Sequence, residues 1–315
     1  MEALIEVQNL TKKYAGAKEL AVDDVSFTVG KGEFFAFLGP NGAGKTTTIS
    51  ILTTTLAKTS GIVRIAGLDL ERDTRRIRQQ VGIIFQKPSF DKALSAEENI
   101  RFHACLYGVA PYRPTFKMMP ESYRTRVVEL ACIVGIEDKL FKPIGKLSGG
   151  MQRKLEIVRS LIHTPAILFL DEPTQGLDAT SRRSLWDYIN TVRHEQGTTV
   201  FLTTHYIEEA EGVDQVCIIN RGTVGFCGTP EQMKGQLLHR ELLLDACDRG
   251  LLLEQLAALG LKAVVEKHIV VPYQGMPEQD IIAQLNVRLS TLQINEPSLE
   301  DAYVELLAKT ERTAA

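Results

Sequence analysis

The run Gly39-Pro40-Asn41-Gly42-Ala43-Gly44-Lys45-Thr46-Thr47 fits the G-x-x-x-x-G-K-[ST] pattern of a phosphate-binding loop. The apolar run Glu33–Leu38 leads into it, and the helix-compatible run Thr46–Leu52 leads out. That strand–loop–helix setting gives the pattern its chemistry. Glycines let the backbone curl with its N–H groups inward, and a helix N-terminus adds unsatisfied N–H groups and a positive dipole end. Lys45 supplies a mobile cation for terminal phosphates, and Thr46 a hydroxyl for a divalent cation.

Further residues could serve the same chemistry. Ala166–Glu172 is an apolar strand ending in two adjacent acids. Neighbours on a strand point to opposite faces, so Asp171 and Glu172 can have separate tasks, one at a Mg²⁺ shell and one at an attacking water. Gln86 closes the buried run Val81–Phe85, where open α/β sheets place ligands; a simple strand-end cap is the equal alternative. Ser148-Gly149-Gly150 precedes the helical run Met151–Ile162, a second helix N-terminus suited to an anion, although such a serine is more often only a cap. Thr204 and His205 follow the buried strand Thr198–Thr203; a lone histidine is usually structural, but after a strand of a nucleotide-type sheet this one is also a candidate for a phosphate contact. Pro173–Asp178 is a tight turn. Tyr14 ends a strand region, and its ring could stack on a purine or be an ordinary half-buried strand tyrosine.

Taken together, Tyr14, the phosphate loop, Gln86, Leu147–Met151, Asp171-Glu172, Asp178 and His205 resemble an ATP-binding cassette (ABC) domain in order and spacing, over roughly residues 1–230. Gly39–Thr46 resembles the family's Walker A loop, Ile167–Glu172 its Walker B strand, Gln86 its Q-loop, Leu147–Met151 its signature and His205 its switch histidine. The signature departs in one respect: Met151 stands where many members have Gln, and Gln152 follows. The segment Tyr112–Met119 looks longer than in relatives. The resemblance implies a P-loop NTPase fold with a RecA-like core sheet, an antiparallel β subdomain and a helical subdomain at about 87–162.

It also implies roles. ATP would lie against Tyr14, Gly39, Pro40, Asn41, Gly42, Ala43, Gly44, Lys45, Thr46, Thr47 and Gln86. Mg²⁺ would be served by Thr46, Gln86 and Asp171. Lys45, Glu172 and His205 would be catalytic, and a second copy would supply Ser148, Gly149, Gly150 and Asp178 in trans. The expected activity is ATP hydrolysis coupled to export, with a homodimer of cassettes on the cytoplasmic face of the membrane and a permease on a separate chain. The phrase Glu296-Pro297-Ser298-Leu299-Glu300-Asp301 resembles the end of exporter cassettes of the daunorubicin-resistance and related types. The alternative is a soluble cassette ATPase acting on ribosomes or nucleic acid.

Around these residues the chain supplies ordinary scaffolding. Leu4–Val7 and Ala21–Val29 alternate as strands about a turn near Ala15-Gly16, and Ile62–Ala66 is a further strand. Thr74–Gln80 and Arg124–Val134 read as helical, and Ser95-x-x-Glu98 is a capping box. Pro111–Pro120 is irregular, its aromatics and methionines suited either to a contact surface or to packing under a loop. Asp214–Asn220 and Gly222–Cys227 form a hairpin turning at Arg221-Gly222.

From about 238 to 315 the pattern becomes β-α-β-β-α-β, that of a small ferredoxin-like α+β domain: strand Glu241–Ala246, helix Leu251–Leu259, strands Lys262–Glu266 and Ile269–Pro272, helix Pro277–Leu285 and strand Thr291–Ile294. A last helix begins at a Ser298/Asp301 capping box, with Leu299, Ala302, Tyr303, Leu306 and Leu307 on one face. The expectation here is an accessory module for packing or dimerisation, with regulation or docking as the sharper alternative.

Composition sets limits. The 315 residues are 44% hydrophobic and 24% charged, ordinary for a globular protein, and suffice for one large or two ordinary domains. A net charge of −3 advertises no nucleic-acid surface, so no nucleic-acid partner is expected. The five cysteines form no C-x-x-C pair, which argues against a disulfide framework or zinc site and fits a reducing cytosol. The first residues carry acids where a signal peptide needs bases. No uninterrupted apolar stretch reaches membrane-spanning length; the nearest, Leu242–Leu261, carries Asp245, Asp248, Arg249 and Glu254.

Overall fold

The computed structural model describes residues 2–86, 89–237, 240–273, 277–295 and 298–313. They form two compact units, Met1–Gly228 and Thr229–Ala315, each with its own apolar core.

The first unit opens with β1 (Ala3–Lys12) and β2 (Val22–Gly30), paired antiparallel. Next come β3 (Phe34–Leu38), α1 (Lys45–Leu52), β4 (Ser60–Ile65) and β5 (Leu68–Asp69). Strands β1, β2, β4 and β5 make an antiparallel sheet of order β2-β1-β4-β5. In β2 the buried residues Val25, Phe27 and Val29 alternate with exposed ones, as the sequence pattern predicts for a sheet with one wet face.

Helix α2 (Thr74–Gln80) and strand β6 (Val81–Ile84) lead to three successive helices, α3 (Ala96–Leu106), α4 (Glu121–Val134) and α5 (Gly149–Leu161). The capping box at α3 forms in full: Ser95 Oγ accepts from Glu98 N, and Glu98 Oε2 accepts from Ser95 N at 2.8 Å. The segment before α4 divides between the two expectations. Met119 is buried, whereas Met118 and Tyr112 are exposed and Tyr112 stacks on Phe102 with ring centroids 5.6 Å apart.

Then follow β7 (Ile167–Asp171), α6 (Ala179–Gln196), β8 (Thr199–Thr204), β9 (Gln215–Asn220) and β10 (Thr223–Gly228). The second sheet has the order β10-β9-β3-β8-β7-β6 and is parallel except for the β9–β10 hairpin. All five residues of β3 and all five of β7 are buried, which explains their unbroken apolar runs. Phe27, Phe35, Phe37, Phe169 and Phe201 stack between the sheets, with neighbouring rings 5.2–5.9 Å apart. This aromatic block fixes β3, β7 and β8 against one another. Because the strands are parallel, the ends of β3, β6, β7 and β8 emerge on one edge, and the sequences that follow them meet there.

The second unit contains α7 (Pro230–Leu237), β11 (Arg240–Ala246), α8 (Arg249–Ala258), β12 (Val264–Val265), β13 (Ile269–Tyr273), α9 (Glu278–Ala283), β14 (Leu289–Asn295) and α10 (Leu299–Thr313). Its antiparallel sheet has the order β12-β13-β11-β14, the ferredoxin-like arrangement. Strand β12 is two residues long and exposed, shorter than the sequence pattern suggests, because only Val264 and Val265 pair with β13. The capping box at α10 is present, with Asp301 N donating to Ser298 Oγ at 3.0 Å. The boundary residue Leu238 and the pair Glu296-Pro297 lie outside the described residues.

Candidate functional site: a phosphate-loop cavity at the sheet edge

The loop after β3 is shaped by close approaches that only glycine permits. A Cβ at Gly39 would stand 2.2 Å from the carbonyl oxygen of Ile219. Gly44 has φ +109, and a Cβ there would stand 2.6 Å from the Ala21 carbonyl oxygen. Gly44 caps α1, and Lys45 is its first residue. Gly222 N donates to Ala43 O at 2.9 Å, so the β9–β10 turn supports the loop from behind.

Lys45 is 4% exposed. Its ammonium donates to Gly39 O at 2.7 Å and Pro40 O at 3.0 Å, and lies 3.6 Å from Glu172 Oε1. Burial pulls its pKa below the usual lysine value, while the Glu172 carboxylate opposes that shift.

Glu172 gathers the other groups. Gln86 Nε2 donates to Glu172 Oε2 at 3.3 Å, and His205 Nδ1 lies 3.3 Å from Glu172 Oε1. The two acids are separated differently from the expectation. Strand β7 ends at Asp171, and Glu172 has φ +45, so a left-handed kink as well as the pleat parts the carboxylates. That kink is held by Glu172 N donating to Thr203 O at 3.0 Å. Asp171 stays in the strand, where Thr203 Oγ1 donates to its Oδ1 at 2.6 Å. Burial raises the Asp171 pKa, and its hydrogen bond from Thr203 acts against the rise.

A cavity of about 290 Å³ opens beside these groups, lined by Ala21, Asn41, Gly42, Gly44, Lys45, Thr46, Thr47, Gln86, Glu172 and Gln175. Tyr14 stands at its margin: it is 44% exposed, and its hydroxyl lies 3.3 Å from Thr47 Oγ1. The glycine-shaped loop, the helix N-terminus and the ammonium suit a polyphosphate tail. The hydroxyl and carboxylate oxygens of Thr46 and Asp171 are the donor types that a hard divalent cation takes.

Ser148, Gly149, Gly150 and Asp178 do not line this cavity. Ser148 and Gly149 are exposed, and Ser148 caps α5 by accepting from Met151 N at 3.3 Å. Asp178 caps α6 by accepting from Ser181 N at 2.9 Å and Ser181 Oγ at 2.7 Å. Gly150 adjoins the same serine: a Cβ there would stand 3.4 Å from Ser181 Oγ. The two stretches thus form a second cluster on neighbouring helix N-termini.

Sequence reasoning missed the supports of the site. Glu209 accepts from Thr204 Oγ1 at 2.6 Å and from Thr174 Oγ1, joining the residue before His205 to the turn after Glu172. Arg153 donates to Phe85 O, Pro173 O and Glu156, bracing the backbone next to Gln86. The hydroxyl pair Thr203-Thr204 at the end of an apolar strand is the one local signal that pointed this way.

Fold and site together define a phosphate-loop ATPase in which a lysine, an amide and an imidazole surround one buried carboxylate beside the parallel strand ends. A family model described as "ABC transporter" matches residues 22–175. The chain is 36% identical over 240 residues to the probable multidrug ABC transporter ATP-binding protein YbhF of Escherichia coli (strain K12), covering 76% of this chain but only 39% of YbhF. It is 33% identical over 314 residues to the daunorubicin/doxorubicin resistance ATP-binding protein DrrA of Streptomyces peucetius, covering 96% of this chain and 92% of DrrA. A solved structure described as the dimeric post-hydrolysis state of the ATP-binding cassette MJ0796 bound to ADP and Pi matches with TM-score 0.63 and 28% identity, over 71% of this chain and 98% of that one. The chain belongs to the ABC transporter family and is an ATP-binding, ATP-hydrolysing cassette protein.

Proposed function

We propose that the chain powers export through a permease carried on a separate polypeptide, by closing as a homodimer over two ATP molecules at the cytoplasmic face of the membrane. The observation that carries the reading is the convergence of Lys45, Gln86 and His205 on one buried carboxylate, Glu172, at the mouth of the phosphate loop.

In this reading the N–H groups of Gly42–Thr46 cradle the phosphates and Lys45 holds the terminal two. Thr46 and Asp171 serve Mg²⁺, with Gln86 reaching it directly or through water. Glu172 orients and polarises the attacking water, and His205 contacts the γ-phosphate and its transition state. Tyr14 takes the adenine face. Such a set acts by positioning and charge stabilisation, which is what phosphoryl transfer demands. The Ser148-Gly149-Gly150 run, exposed at Ser148 and Gly149, and Asp178 close on the partner copy's loop; support comes from their placement outside the chain's own cavity. DrrA's description as a drug-resistance protein supports export, with a drug, lipid or polysaccharide-like cargo as the expected class. Residues 229–315 would be an accessory module for packing, dimerisation or regulation.

A soluble role on ribosomes or nucleic acid is the less supported reading, since the net charge is −3. Among the described residues no helix is long and apolar enough to cross a membrane, so the proposed export needs its partner. The test is ATP turnover in magnesium buffer with and without the co-expressed permease in vesicles. Export-coupled turnover supports the proposal. RNA-stimulated turnover with no permease association would overturn it.

A further inference from the structure

Cys217 and Cys227 are direct cross-strand partners in the β9–β10 hairpin. We propose that they form a reversible oxidation site, closed to a disulfide by a hydroperoxide, that staples the hairpin supporting the phosphate loop.

The geometry carries this. Directly opposed residues of an antiparallel pair share a face, with Cα atoms about 4.5–5.5 Å apart. Disulfides span Cα separations of about 4.4–6.8 Å, a range that includes the spacing of directly opposed antiparallel partners. Their exposures differ in a useful way: Cys217 lies wholly inside the core and Cys227 is exposed on the outer strand. The neighbouring Cys217 thiol draws the Cys227 pKa below the usual thiol value, while burial raises that of Cys217.

The chemistry balances with one hydroperoxide. The Cys227 thiolate attacks the peroxide oxygen; the O–O bond breaks, hydroxide leaves as water, and a sulfenic acid forms. The Cys217 sulfur then attacks the Cys227 sulfur, and the displaced hydroxide takes the Cys217 proton as a second water. Two thiols are oxidised and one peroxide is reduced. The product is cleared by thiol–disulfide exchange with a cytosolic dithiol.

The location gives the bond a consequence. Ile219, two residues from Cys217, meets Gly39, and Gly222 at the hairpin turn donates to Ala43 O. Stapling the hairpin therefore stiffens the wall behind the loop that holds Lys45.

The test is thiol counting and intact mass on the full-length protein after stoichiometric hydrogen peroxide. The expected product has three free thiols in place of five, a mass lower by two hydrogens, a Cys217–Cys227 linked peptide, and full reversal by dithiothreitol. Cys227→Ser, an exposed change that leaves basal ATPase unaltered, is expected to keep its remaining thiols under the same treatment. The oxidised wild type is expected to melt higher than the reduced form, and Cys227→Ser to show no such shift. Retention of all five thiols, over-oxidation of Cys227 without Cys217 loss, or a cross-link to any other cysteine would overturn the proposal.

Discussion

Glu172 Oε1 stands 3.6 Å from Lys45 Nζ and 3.3 Å from His205 Nδ1, so one carboxylate oxygen is shared between the phosphate-loop cation and the residue after β8. Three chain segments, far apart in sequence, are brought to one atom by the parallel ends of β3, β7 and β8. Among the described residues the ammonium otherwise donates to Gly39 O and Pro40 O, so it is poised to exchange weak carbonyl partners for phosphate oxygens.

Lys45→Ala therefore removes the cation and leaves Glu172 without its nearest positive charge. The expected result is loss of the thermal stabilisation that millimolar ATP gives the wild type, each protein being compared with its own melting midpoint without nucleotide. Differential scanning fluorimetry with and without ATP checks this. An unchanged ATP shift would contradict the placement of the phosphates.

Glu209 is predicted to position the site through hydrogen bonds alone. Its carboxylate joins Thr174 and Thr204 and does not touch the cavity. Glu209→Ala removes the acceptor of two buried hydroxyl groups and is expected to cost about 2–3 kcal/mol in urea unfolding. Glu209→Gln keeps the bridge; because burial already raises the Glu209 pKa, removing the charge should cost less than about 1 kcal/mol. Equal losses for both variants would argue against the bridging role.

A pH signature is expected from the buried pair Arg153–Glu156. Burial raises the Glu156 pKa, so the folded state takes up its proton more readily than the unfolded chain. Stability linked to this group therefore increases as pH falls through the folded pKa. Arg153→Met strips the nearer of two compensating charges, leaving Arg159 3.7 Å from Glu156, and is expected to cost about 3 kcal/mol at neutral pH. The deficit against wild type should shrink as pH falls and Glu156 becomes protonated. A pH-independent deficit would show that the carboxylate is not the penalised group.

Separability of the units gives a further expectation. Each has its own core, and every proposed nucleotide contact lies before Gly228. Residues 1–228 alone are expected to fold and to hydrolyse ATP at the full-length rate in a phosphate-release assay. A large drop would give the C-terminal unit a part in closing the dimer.

The sequence was most legible where a local pattern has one physical cause. The phosphate loop needs glycine at Gly39 and Gly44 because neighbouring carbonyls leave no room for a side chain. Gln86 and His205 could be placed because each follows a buried parallel strand. Tyr14, Gln86 and Ser148 carried alternatives that only their combination narrowed. Glu209 and Arg153 were hidden because the contacts that tie them to the site, with Thr174 and Phe85, span 35 and 68 residues, with no periodicity to mark them. The Glu172 kink was equally hidden: two adjacent acids on an apolar strand read as a simple pleat, and the left-handed turn is imposed by Thr203 on β8.

The central claim is that Glu172 polarises the attacking water while two copies enclose two nucleotides. The most direct measurement uses Glu172→Gln with ATP and magnesium, recording turnover, bound nucleotide and mass in solution together. The account predicts retained ATP binding, turnover lower by about 10²–10⁴, and a stable dimer holding one ATP per chain. Wild-type turnover, or a monomer that binds ATP without dimerising, would contradict it.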